Sequence, residues 1–485
     1  VDPVDSADPS APRQHSGQNA PQRCDVAIVG AGLAGKLATL ALRHVLPGHT
    51  VLALIDRGPI LTNATNTARS TDQRATALSA ASVNLLTNIG LWDGGTAAKA
   101  SRQAHTEAAD AGLKVRAAPM RRIVLTDAQD DAPARAQALA WENLVTLPAA
   151  QSGSNAATDA LDEDLRSHDA DNTIPAAHVV ANADLLAAID AALNVHINAG
   201  HIGLYPNSAL KAFHPPAPGD FAATLTLTGD VTLRAEVVIA ADGGRSPVRE
   251  FLRIPGRRKD YGQTGIVAPL ALSAPHESVA VQHFCDGGPL VILPLTDAAD
   301  GTPQASLVWS DTAPEARRLM ALDDVSFVAA LNDRLAGRHS VTSLAGPRQS
   351  WPLRLHHAHR LSGPRTMLIA EAARTVHPIA GQGLNLAIRD IAEAAQVLSE
   401  AAAAGQDMGS PLVCERYERA RRVDSVVATQ AFDAVNALFR APAVPMRTLR
   451  HAGMRLLDRT ALPKRLLARE ASGLSASNAP LLRRT

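Results

Sequence analysis

The sequence predicts an α/β fold, α+β overall, in which a nucleotide-binding lobe carries an inserted β-sheet lobe and is followed by C-terminal helices. Three observations predict it. A strand, a glycine turn and a helix follow one another from Asp25 to Leu46. A second apolar strand, Val237 to Ala241, ends on Asp242, and a third, from Met367, leads through a glycine-bearing loop into the helix Leu386 to Leu398.

In the first of these, the apolar run Asp25 to Val29 enters Gly30-Ala31-Gly32-Leu33-Ala34-Gly35, and Leu37 to Leu46 has helical spacing. Gly30 permits the tight turn. Gly32 lets a pyrophosphate reach the backbone, and Gly35 lets the helix pack closely on the strand with its N-terminus facing the phosphates. Val51 to Ile55 gives the next strand and ends at Asp56, about twenty residues after the turn, where a carboxylate can accept bonds from an adenosine ribose. This is a Rossmann-like dinucleotide site; the turn alone does not separate FAD from NAD.

Asp242, in Asp242-Gly243-Gly244-Arg245-Ser246-Pro247, sits at the carboxyl end of its strand, the edge where open α/β sheets bind ligands. In the third segment, Arg374-Thr375-Val376-His377-Pro378-Ile379-Ala380-Gly381-Gln382-Gly383-Leu384-Asn385 follows Ala370-Glu371. Gly381 and Gly383 expose backbone N–H groups just ahead of a helix, a geometry suited to the electron-rich edge of a flavin.

Composition narrows the function. The 485 residues are too many for one ordinary core, so at least two lobes are expected. Lys plus Arg equals Asp plus Glu at 47 each, which removes any global electrostatic case for nucleic acid. Cys24, Cys285 and Cys414 are far apart and lack metal-type spacing, and no histidine cluster suits a metal. The stretch 1–23 reads as a disordered leader, and no secretory signal or membrane-spanning helix is expected.

These segments, in this order, resemble the flavoprotein aromatic hydroxylases, and in detail their ubiquinone-biosynthesis branch. The finer likeness lies in Asp72 to Ser79, Met120 to Ile123, Tyr261 to Val267, Gly288 to Leu295, Ser306 to Trp309 and Tyr417 to Arg422. The resemblance implies a p-hydroxybenzoate-hydroxylase-like fold that hydroxylates a polyprenylated phenol or benzoquinol through a flavin C4a-hydroperoxide. Its co-substrates would be O2 and NAD(P)H or a protein electron donor.

Carried over residue by residue, the resemblance places Gly30, Gly32, Gly35 and Asp56 on the AMP half of FAD, and Arg74 near its phosphates. Asp242 and Gly243 would line the shared nucleotide cleft, Glu371 would face the ribityl chain, and Pro378, Gly381, Gly383, Leu384 and Asn385 would lie beside the isoalloxazine. His377 is the candidate for proton management or loop anchoring, and Tyr261 and Gln263 are candidates for the substrate side. The family has Gly-Asp-Ala-Ala-His where this chain has Ala370-Glu371-Ala372-Ala373-Arg374. That departure adds a methyl where backbone should lie bare. It motivates the alternative of a catalytically impaired scaffold in a quinone-biosynthesis complex; a further alternative is an FAD hydroxylase of another aromatic.

The expected division is 24–115, 173–249 and 357–428 for the FAD lobe and 116–172 and 250–356 for the substrate lobe, with 429–485 helical and basic. Residues 148–172 read as a mobile insertion. Within the tail, Met446 to Leu462 alternates leucines with Arg447, Arg450, Arg455 and Arg459. Peripheral contact with a membrane through 446–470, on a cytoplasmic protein, is the corresponding expectation.

Overall fold

The structure is a computed structural model that describes residues 21–61, 72–92, 115–127, 139–140, 177–217, 219–335, 340–378, 381–440 and 479–483. Of the leader expected over 1–23, residues 1–20 lie outside the described residues, but Gln22 and Arg23 already belong to the strand Gln22–Val29; the insertion 148–172 and the basic stretch 446–470 lie outside the described residues.

A mixed eight-stranded sheet is centred on the parallel trio Thr232–Ala240, Gln22–Val29 and Leu52–Ile55, with Val26 opposite both Val237 and Leu52. Strand Ile202–Tyr205 extends it at one side and Thr366–Leu368 at the other, both parallel to their neighbours. The central strands are buried on both faces, so they read as unbroken apolar runs rather than alternating ones. Helices Leu33–Val45 and Gly383–Ala403 pack against each other over the sheet, contributing Leu37, Leu40, Ile388 and Ile391 to its core.

The second sheet has nine strands in the order Arg374–Thr375, Gln349–Ala358, Gly256–Leu272, Gln304–Thr312, Gly288–Pro294, Val279–Cys285, Arg122–Asp127 and Leu139–Ala140, with Val341–Leu344 paired alongside Gly256–Leu272. It is sided by alternation. Ile266, Ala268, Leu270, Leu307 and Trp309 face Leu319, Phe327 and Leu331 of the helices Ala313–Ala321 and Asp324–Leu335. Val267, Val291, Leu293 and Val308 stand out of phase with these on their strands and look the other way, into a cleft. A small third sheet joins Ala75–Leu78, Ala177–Ala181 and Ala118–Met120.

The chain passes between the large sheets twice near one place. Thr366–Leu368 ends the first sheet, a single helical turn Ala370–Ala373 follows, and Arg374–Thr375 pairs at once with His356 and His357 of the second. The last long helix, Pro411–Arg440, begins eighteen residues before the helical region expected over 429–485. Its inward positions include Arg421, Ser425 and Thr429 as well as Val413 and Tyr417, so an apolar count understates it. No described helix is long and apolar enough to cross a membrane.

Candidate flavin site

Between the sheets lies a cleft of about 1070 Å³. One wall is the glycine turn. Gly30 has φ +103°, and a Cβ there would stand 2.4 Å from the Ala241 carbonyl oxygen. Gly35 is tighter still, since its Cβ would meet the Gly30 carbonyl oxygen at 1.8 Å. Gly32 is the N-cap of the thirteen-residue helix and lines the cleft, and no protein atom lies within 4 Å of a Cβ built on it. The turn therefore closes on itself at Gly30 and Gly35 and leaves open space at Gly32, at the positive end of a helix.

Asp56 stands at the end of its strand outside the cleft lining, where Oδ2 accepts from Ala31 N at 2.6 Å and Oδ1 from Gly58 N at 2.8 Å. Each oxygen keeps a second lone pair. Arg74 lines the cleft, paired with Asp72 at 2.8 Å and stacked over Trp351 at 5.6 Å. Burial acts to raise the Asp72 carboxyl, but the bonds from Arg74 outweigh it and hold Asp72 below the usual carboxylate range.

At the second strand end, Asp242 caps the helix Pro247–Phe251, its Oδ2 accepting from Val248 N at 3.0 Å. Its Oδ1 is buried without a hydrogen bond of normal geometry among the described residues. Burial raises the carboxyl above its usual range against the opposing pull of Ser246 and the Val248 N–H. Gly243, at φ +87°, is in the lining. Glu371 is exposed and also lines the cleft. Ala370 before it has φ +53°, the left-handed region where a Cβ costs about 1–2 kcal/mol. The glycine absent from the sequence is thus absent at a position whose backbone favours one.

Pro378, Gly381, Gly383 and Leu384 complete this wall. Asn385 is fully buried behind it. Its Oδ1 accepts from Ser79 N at 3.0 Å and from Ser82 Oγ at 2.7 Å, and its Nδ2 donates to Ala77 O at 2.8 Å. The side chain therefore ties the loop to the strand Ala75–Leu78 and to the helix Ala80–Asn88. His377 is buried with its ring edge-on to Tyr261, centroids 5.2 Å apart.

The structure brings Gly32, Arg74, Gly243, Glu371, Pro378, Gly381, Gly383 and Leu384 into one cleft and leaves Gly30, Gly35, Asp56, Asp242, His377, Asn385, Tyr261 and Gln263 outside its lining. Gln263 is buried, donating to Gly287 O at 2.6 Å and accepting from Asn436 at 3.3 Å. Tyr261 is buried beside Asp433, and burial, reinforced by that carboxylate, raises its phenol well above the usual range. The pairing with Gln349–Ala358 shifts register between Asp260 and Gln263, with Gly262 at φ +64°, which separates Tyr261 from the regular phase that Gln263 shares with Val267. Past such a bulge the facing of side chains can no longer be counted by twos.

Trp351, Arg258 and His356 also line the cleft, and no motif in the sequence singles them out. Arg258 lies opposite His356 in the strand pairing, a neighbourhood that exists only once the strands meet. The His356 imidazole is pushed down to about 4 by burial and by the facing cations Arg249 and Arg258, with His357 and His359 adding to them.

Open backbone at a helix N-terminus, an unsatisfied buried carboxylate oxygen and glycine-lined walls define a dinucleotide-binding flavoprotein site, and the residues present fit FAD. The chain belongs to the FAD binding domain family, which it matches over residues 23–431, and FAD is its cofactor. It is 37% identical over 248 residues to the ubiquinone hydroxylase UbiL of Rhodospirillum rubrum, an overlap of 51% of this chain and 57% of that one. To the 3-demethoxyubiquinol 3-hydroxylase of Escherichia coli it is 28% identical, covering 93% of this chain and 99% of the relative. Its fold is that of the p-nitrophenol 4-monooxygenase PnpA of Pseudomonas putida, with a TM-score of 0.63 at 15% identity, covering 93% of this chain and 98% of that one. Among the described residues no group of side chains could hold a metal ion.

Proposed function

We propose that this chain is an FAD-dependent monooxygenase that hydroxylates the aromatic ring of a polyprenylated phenol or benzoquinol on the route to ubiquinone. One observation carries the reading. The cleft with nucleotide-type glycine walls on one side is floored on the other by the apolar sheet face Val267, Val291, Leu293 and Val308. Cofactor and lipophilic ring thus have adjoining surfaces in one space.

FAD, when bound and reduced by NAD(P)H or a protein donor, supplies the activated oxygen that side chains cannot generate. The chain's residues bind, orient and exclude water. Gly32 and the helix behind it receive the pyrophosphate, Arg74 adds a cation beside it, and Asp56 and Asp242 accept from hydroxyl groups. The backbone at Gly383 and Leu384 would meet the flavin's polar edge, the Gly381 N–H being spent on Pro378 O at 3.2 Å, with Asn385 and His377 fixing that loop from behind. The apolar face keeps water from the reacting ring.

In this reading the eight-stranded sheet is the core of the FAD lobe and the nine-stranded sheet that of the substrate lobe; Ala118–Met120, expected in the substrate lobe, pairs instead with Ala177–Ala181 of the FAD lobe, and Arg374–Thr375, expected in the FAD lobe, pairs with the substrate sheet. The relatives' names, a ubiquinone hydroxylase and a 3-demethoxyubiquinol 3-hydroxylase, support the substrate class, and membership of a quinone-biosynthesis assembly belongs to the same proposal. The test is the visible spectrum of the purified chain, identification of any released flavin, and product analysis with a short-tailed prenyl phenol, O2 and NADPH. Flavin bands with a ring-hydroxylated product are expected. No FAD uptake at saturating cofactor overturns the reading in favour of a scaffold.

A further inference from the structure

The turn that crosses from one large sheet to the other is held by a carboxylate that no sequence motif singles out. Asp390, on the helix Gly383–Ala403, is fully buried, and its Oδ2 accepts the Ala370 N–H at 3.0 Å. Its Oδ1 accepts from Arg374 Nη2 at 2.7 Å and from Arg421 Nε at 2.9 Å. One side chain thus joins the turn, its own helix and the helix Pro411–Arg440.

What it holds is strained. Ala370 keeps φ +53° although it carries a Cβ, and such a conformation persists only where the surroundings over-determine it. Immediately after it, Glu371 and then Arg374 and Thr375 line the cleft. If the Ala370 backbone relaxed to a right-handed conformation, the direction of the chain entering Glu371 would change. Arg374 and Arg421 in turn fix the carboxylate, and the second of these is placed by Asp424 at 2.6 Å.

We infer that Asp390 is a positioning residue for the flavin cleft: by accepting the Ala370 N–H it fixes the left-handed turn and so the placement of Glu371 and of the backbone through Thr375. This inference rests on the cleft being the FAD site. Asp390 itself does not line the cleft.

The test titrates FAD into the full chain and into Asp390→Asn, with Ala370→Gly added to each. D390N is expected to bind FAD about tenfold more weakly or worse, since a charge-assisted bond is lost. The A370G/D390N pair is expected to recover most of that affinity, because glycine holds the left-handed turn unaided. A purely structural role for Asp390 would give no such rescue. D390N binding FAD as tightly as the unmodified chain, or a loss that A370G does not recover, overturns the inference.

Should D390N fail to fold, amide exchange at Ala370 in the unmodified protein decides. Protection comparable with the Gly383–Ala403 helix is expected, and exchange at the rate of an open loop overturns the inference. An unmodified chain that takes up no FAD overturns the functional reading and this inference together. Equal binding by both chains overturns the inference alone.

Discussion

Gly35 packs against Gly30 so closely that a Cβ on the first would stand 1.8 Å from the carbonyl oxygen of the second. Neither atom can yield, because the oxygen is backbone and a Cβ has no torsion by which to turn away. Two replacements in the same turn should therefore behave differently. Gly35→Ala is expected to destabilise the fold by at least about 3 kcal/mol through overpacking. Gly32→Ala meets no protein atom within 4 Å and should leave the melting temperature unchanged while weakening FAD binding. Thermal melts of the apoproteins beside FAD titrations check this; equal loss of stability in both would refute it.

Lys36, one residue further on, forms a buried ion pair with Asp190 at 2.6 Å and ties the dinucleotide helix to the helix Asn182–Asn198. Lys36→Met leaves a carboxylate in the interior without its cation and should destabilise by about 3–5 kcal/mol. Adding Asp190→Leu should return much of that loss. Urea unfolding of the two variants measures both, and a single variant as stable as its parent would contradict the prediction.

Asp242 separates capping from ligand binding. Asparagine keeps an oxygen for the Val248 N–H but gives up the charge and the free acceptor. Asp242→Asn should therefore fold with an unchanged melting temperature and lose about tenfold in FAD affinity, the equivalent of one charged hydrogen bond at about 1.5 kcal/mol. Undiminished affinity would remove Asp242 from the cofactor site.

His356 makes stability depend on pH. The unfolded chain takes up its proton near pH 6.5, whereas the folded chain resists protonation down to about 4. The unfolded state thus binds more protons between these values. The contribution is complete above about pH 6.5 and is lost as pH falls through that window. His356→Gln should make the decline in urea midpoint from pH 7.5 to pH 5 shallower, and identical declines in the two proteins would exclude the residue as a source.

The parts of this site that run along the chain are legible in the sequence, because local mechanics fix them. The turn from Gly30 to Gly35, the strand ending at Asp242 and the loop from Pro378 to Leu384 are each defined by the next few residues. What the sequence hides depends on pairing between distant segments. Arg258 meets His356 only through strand register, and the buried Gln263 finds Gly287 O and Asn436 only once distant segments come together. The long helix starts well ahead of the position its apolar period suggests, because buried polar residues such as Arg421 and Ser425 interrupt that period. Asn385 adjoins the glycine loop in the chain, but its side chain's task, a joint among Ala77, Ser79 and Ser82, needs partners some three hundred residues away.

The helix Pro411–Arg440 touches both large sheets. Near its start Tyr417 donates to Leu368 O at 2.7 Å, and towards its end Asp433 pairs with Lys259 at 2.6 Å while Asn436 reaches Gln263. It acts as a splint across the two walls of the cleft. Parting those walls means breaking one set of fastenings or the other, so the helix opposes their separation. On the proposed function, the side chains that line the gap would set the girth of ring accepted, and a shorter residue on the sheet face should widen that range.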